Sequence, residues 1–116
     1  METQQAVVAL GALAHETRLQ VFRMLVQRGP DGLAAGVIAT ELDMPSSSLT
    51  FHLQQLTHAG LITQRRVSRQ LIYATDFTAM NDLMAYLTEN CCGGAMSCTP
   101  VCRPETTGAG IKGAAA

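Results

Sequence analysis

From Met44 to Gln64 the chain carries no Asp, Glu, Lys or Arg, although 15% of all its residues are charged. Within that stretch Leu49, Leu53 and Leu56 recur at i, i+4 and i+7, the spacing of one helix face. Pro45 suits the first turn of such a helix, where a missing N–H costs nothing. Gly60 suits the left-handed stop after it. These residues predict a helix over 46–59 with an apolar inner stripe and an outer face that is polar yet uncharged. The outer face holds Ser46, Ser47, Ser48, Thr50, Phe51, Gln54 and Gln55. Short hydroxyls and amides hydrogen-bond base edges, and a phenyl ring can lie against a thymine methyl. A carboxylate here would repel phosphate, and there is none. His52, beside Leu53, is a candidate donor to a phosphate or, equally, a satisfied packing residue. A serine-rich helix start is by itself also consistent with plain capping.

The flanking segments extend this into a helix-turn-helix. A short helix over 34–42 is expected to carry Val37, Ile38 and Leu42 inward, with Gly36 weakening its start. Asp43-Met44-Pro45 is the turn that leads into the longer helix. Beyond Gly60, residues 61–66 and 70–75 read as two short strands, with Val67-Ser68-Arg69 at the tip and no Asn-Gly signature. Arg65, Arg66 and Arg69 fall in this hairpin, where they would meet the phosphate backbone or enter the minor groove. Their alternative reading is a solvated sheet edge.

Upstream, a helix over 4–14 is expected, capped by Thr3, with Val7, Leu10, Leu13 and Ala14 on one face. A second begins at Glu16, carries Leu19, Phe22, Leu25 and Val26, and breaks at Arg28-Gly29-Pro30-Asp31-Gly32. A last helix, capped by Asp76 or Thr78, is expected to reach Asn90 with Met80, Leu83, Met84 and Leu87 at i, i+3, i+4 and i+7. The fold class is therefore mainly α with a small β-hairpin, in the order α-α-α-α-β-β-α. Residues 1–92 form the expected DNA-binding and dimerisation domain. Residues 93–116, rich in small residues, are expected to be a flexible tail.

Hydrophobic residues make up 47% of the chain but aromatics only 4%, so the core must be built of Leu, Val, Ile, Met and Ala. With 116 residues there is room for one domain, and a helical domain of this size buries little enough that a dimer is expected. The net charge of -1 gives no global signal for nucleic acid; the signal lies in how charge is placed. Acids gather at Glu41, Asp43, Asp76, Asp82 and Glu89, away from the uncharged helix. With no secretory leader and no span of membrane length, a cytoplasmic protein without a membrane partner is expected. Its thiols then stay reduced. An enzyme is not expected, because no cysteine sits in a phosphate-cradling loop or a C-x-x-C pair. His15-Glu16 reads as helix capping, and nothing calls for an organic cofactor.

All four cysteines lie near the C-terminus, at Cys91, Cys92, Cys98 and Cys102. Thiolates in such density suggest capture of a soft metal or metalloid ion. If the last helix continues through Cys91 and Cys92, their side chains leave it about 100° apart. Gly93-Gly94 can then turn the chain back so that Cys98 closes a three-sulfur site. Three thiolates suit trivalent arsenic or antimony. Four would make a tetrahedral site for zinc, cadmium or lead, although an adjacent pair departs from the usual C-x2-C spacing. A redox pair of Cys92 with Cys98 or Cys102 is a further reading, and incidental thiols on a tail are the plainest one.

The stretch LAHETRLQVFRMLVQRG, followed by IATELDMPSSSLTFHLQQLTHAGLITQRRVSRQLIYA, resembles the ArsR/SmtB family of metal- and metalloid-responsive winged-helix repressors. The likeness covers residues 7–90. Its most specific part is SSSLTFHLQQLTHAGLI with the basic hairpin that ends in Tyr73. The resemblance implies a homodimer on the first and last helices, with Val7, Leu10 and Leu13 against Leu83, Tyr86 and Leu87. Two recognition helices and two wings would sit on double-stranded operator DNA. Two of the family's ligand sites are missing. The helix AAGVIATEL has no Cys-x-Cys pair, and the last helix holds Asp82 but no His. A family variant with vicinal cysteines and a third just beyond the last helix responds to arsenite. Its ligands fall on Cys91, Cys92 and Cys98, with Cys102 outside the triad. The implied function is a repressor released from its operator by arsenite, As(III), or antimonite. The alternatives are a zinc-, cadmium- or lead-responsive or thiol-redox repressor of the same fold, and a metalloid-sequestering protein.

Overall fold

The computed structural model describes residues 1–90. The four cysteines, Gly93-Gly94 and the expected tail lie outside them. Five helices and three strands follow in the order α1 (Thr3–Leu13), α2 (Glu16–Arg28), β1 (Leu33–Ala34), α3 (Ala35–Leu42), α4 (Ser46–His58), β2 (Ile62–Val67), β3 (Gln70–Thr75) and α5 (Phe77–Leu87). One compact unit spans Met1–Tyr86, and Leu87 begins a second.

The leucine stripe of α4 is the centre of the core. Leu49, Leu53 and Leu56 have no accessible surface, and neither do Val21, Leu25 or Ile38 from α2 and α3. Each such side chain contributes about 1.5–3 kcal/mol on burial. Leu61, Ile62 and Tyr73 close the core from the sheet side. Gly60 ends α4 at φ 80°, as its position requires. Pro45 sits one residue before the helix rather than in its first turn, with extended backbone.

The β-hairpin is the wing. β2 pairs antiparallel with β3, with Ile62 opposite Thr75 and Val67 opposite Gln70. Val67 thus belongs to the strand, and the tip is the two residues Ser68 and Arg69, with Ser68 at φ 58°. On the other edge of β3 lies β1, with Leu33 opposite Tyr73. This third strand was not expected, since two residues are too few to show any period. Gly32, just before it, is at φ 74°, and a Cβ there would lie 2.3 Å from the Tyr73 carbonyl oxygen.

Several expected core positions are corrected. α1 buries Ala6 and Ala9, while Val7 and Leu10, expected at a dimer surface and not in the core, are 61% and 42% exposed. Small residues let α1 approach the rest of the chain closely, and the larger apolar side chains turn outward. The cap of α1 is Glu2 and not Thr3: the Glu2 N–H donates to Gln5 Oε1 at 2.8 Å. Thr3 instead pairs its hydroxyl with that of Tyr86. Leu19 and Val37, expected inside, are exposed, and Val21 takes the inner place on α2. α5 begins where Asp76 Oδ1 accepts the Ala79 N–H at 3.0 Å, and it stops at Leu87, short of Asn90. Met80 and Leu83 are its buried residues.

Candidate nucleic-acid interface

α3, the turn at Asp43–Pro45 and α4 build the site. Asp43 stops α3 in the left-handed conformation at φ 53°, which redirects the chain into α4. Because Leu49, Leu53 and Leu56 face the core, the opposite side of α4 faces solvent. Ser46, Ser47, Ser48, Thr50, Phe51, Gln54 and Gln55 are all exposed there. Pro45 supplies no side-chain acceptor, so the first-turn amides of α4 carry no side-chain cap. Such amides at a positive helix end suit a phosphate oxygen. The Thr50 hydroxyl donates to the Ser46 carbonyl at 2.8 Å, which leaves it only as an acceptor outward.

His52 lies elsewhere. It is half-buried at the edge of the inner stripe, i+3 from Leu49 and i−4 from Leu56. Its Nδ1 accepts from Arg18 Nη1 at 3.3 Å, and the same guanidinium donates from Nε to the Ala12 carbonyl at 2.7 Å. The His15 ring stands 4.6 Å from that of His52, and His15 caps α2 by accepting the Thr17 N–H. Burial lowers the pKa of His52, and the His15 and Arg18 charges lower it further. His52 is therefore a neutral bracket joining α1, α2 and α4, and its Nδ1 is already engaged. The capping of α2 by His15 was expected from the sequence; the contacts of His15 and Arg18 with His52 were not. The signal available was the placement of His52 on the leucine side of its helix.

The wing arginines divide. Side chains alternate along a strand, so Arg65 and Arg66 leave β2 on opposite faces. Arg65 donates to the Asp31 carbonyl at 3.0 Å and ties the wing to the loop before β1. All three are exposed, and no hydrogen bond among those described ties down Arg66 or Arg69 as one does Arg65. Arg69, at the tip, lines an open depression with Val37, Thr40 and Glu41 of α3. Of the residues expected at a dimer surface, Val7 and Leu10 are exposed, Leu13 and Tyr86 half-buried, and Leu87 is 51% exposed. Leu83 is 2% exposed and belongs to the chain's own core. Among the described residues no three His, Cys, Asp or Glu side chains gather as a metal site, and no helix is long and apolar enough to cross a membrane.

A buried helix-turn-helix scaffold, an outward helix without charge and a basic two-stranded ribbon define a winged helix-turn-helix domain. A helix-turn-helix domain family matches residues 13–65. The chain is 34% identical over 83 residues to the transcriptional activator HlyU of Vibrio cholerae, an alignment covering 69% of this chain and 74% of that protein. The solved HlyU structure superposes with a TM-score of 0.60 at 33% identity, covering 75% of this chain and 97% of that one. An ArsR-like regulator from Rhodococcus superposes with a TM-score of 0.64 at 25% identity, covering 75% and 78%. A Halobacterium salinarum protein whose name assigns it to repression of an arsenical resistance operon is 38% identical over 69 residues, 60% of this chain and 53% of that protein. The chain belongs to the ArsR family of winged helix-turn-helix transcription regulators.

Proposed function

We propose that the protein is a metalloid-responsive repressor that binds operator DNA as a homodimer and lets go when arsenite or antimonite is taken by Cys91, Cys92 and Cys98. One observation carries the proposal: a fully exposed, charge-free α4 face beside a basic wing, followed in the sequence by the chain's entire complement of thiols. α4 would enter the major groove, with Ser47, Ser48, Gln54 and Gln55 at base edges and Arg66 and Arg69 on phosphates. The exposed Val7 and Leu10 of α1 would be covered by the second copy. The likeness to an arsenical-operon repressor supports the choice of ligand. Three sulfur donors fit a trivalent metalloid, and binding would release thiol protons. Repression then lifts only if ligand binds the DNA-free form more tightly.

The test is a fluorescence-anisotropy titration of reduced protein on its upstream DNA with arsenite, antimonite, zinc and cadmium in parallel. Arsenite and antimonite are expected to release the DNA. Cys92→Ser is expected to bind DNA normally and resist release. Release by zinc or cadmium alone would transfer the site to a four-thiolate metal. Tight arsenite binding with no salt-sensitive DNA binding would make the protein a sequestering one.

A further inference from the structure

Phe51 is 55% exposed and, among the described residues, the only large apolar side chain turned outward on α4. It stands near the middle of the helix, one turn after Ser47 and one turn before Gln54 and Gln55. Its ring is also held in place. The His52 imidazole meets it edge-on, with centroids 5.5 Å apart and planes at 65°, and His52 is itself fixed by Arg18 and His15. An exposed phenyl group gains free energy by leaving water, so a surface that binds it must offer an apolar partner. The floor of the major groove presents hydrogen-bonding atoms at every base pair and one projecting apolar group, the thymine C5-methyl. The neighbouring amides match this, since Gln54 or Gln55 can take the N6 and N7 atoms of the paired adenine.

We infer that Phe51 is the specificity-determining residue of α4 and that it selects a thymine in each half-site through contact with the C5-methyl. The inference rests on the DNA-facing reading of α4 given above. It requires discrimination by the methyl itself and no new hydrogen bond. Thymine and deoxyuridine pair identically and differ only in that group, so they separate this contact from every other.

The experiment uses the full chain. Duplexes are selected from a random library by wild-type protein and by Phe51→Ala, and each thymine enriched by the wild type is then replaced singly by deoxyuridine. At one thymine per half-site the replacement is expected to weaken wild-type binding about three- to fivefold, the factor for one methyl-sized group buried. Phe51→Ala is expected to show relaxed choice at that position and no response to the replacement. Phe51→Leu, still apolar, keeps part of the preference. Equal weakening in wild type and Phe51→Ala, or none in the wild type, overturns the inference while leaving DNA binding intact. A wild-type protein that selects no duplex at all overturns the DNA reading beneath it. If Phe51→Ala folds poorly, Phe51→Leu decides: a smaller response to deoxyuridine than the wild type's is expected, and an equal one overturns the inference.

Discussion

His52 shows how one side chain of α4 ties that helix to the rest of the fold. Its neutral ring accepts from Arg18, and Arg18 in turn holds the end of α1 through the Ala12 carbonyl. Burial first, and then the His15 and Arg18 charges, make the folded state disfavour protonation relative to the ordinary histidine value of 6.5. The unfolded chain takes up this proton first as pH falls. The stabilisation is thus fully present above 6.5 and is lost as the pH drops from there through the lowered folded value. On acidification from about pH 7.5 to about pH 5.5 the thermal midpoint is expected to fall further in wild type than in His52→Gln, where an amide oxygen replaces Nδ1. Equal losses, measured by circular dichroism melts, would remove His52 from the pH response. The position of this residue was legible: spacing from Leu49 and Leu56 puts it on the leucine side. Its partner was not, because nothing in a linear pattern says that Arg18, from a different helix, arrives at the same point.

Among the elements, the wing pairs its own two strands and is tied to the chain before β1. Its two-residue tip fixes register, while Arg65 and the Gly32 loop fix where the ribbon lies. Gly32→Ala would set a Cβ against the Tyr73 carbonyl at a positive φ, and unfolding in urea is expected to show a loss on the order of 1–3 kcal/mol. For nucleic-acid binding the two adjacent arginines are expected to part company. Arg66→Ala should lower the slope of log affinity against log salt by about one unit, the value for one lost phosphate contact. Arg65→Ala should chiefly loosen the Asp31–Gly32 loop, seen as faster amide exchange there. Helices α2 to α5 and the hairpin were readable from period and punctuation. β1 was hidden because its pairing is dictated by the neighbouring strand and not by its own two residues.

For the whole molecule, the apolar stripe of α1 was read as a dimer surface, and two of its members, Val7 and Leu10, are exposed on the chain. Val7, Leu10, Ala6 and Ala9 form a continuous run of apolar faces, and sequence does not state which side the chain itself will cover. The structure gives the alanines to the core and leaves the larger side chains outside. Leu10→Glu is therefore expected to spare the fold, shift the sedimenting species to the monomer and weaken DNA binding by at least the loss of the second half-site. A dimer that survives this change would place the contact elsewhere. The absence of Asp, Glu, Lys and Arg on α4 has a cellular consequence as well. Grip on arbitrary chromosome sequence comes from counterion release, and α4 itself brings no Lys or Arg to it, on a chain whose net charge is -1. Such a regulator is expected to search more by free diffusion than by sliding, so occupancy of its site will track closely how much of the protein the cell makes.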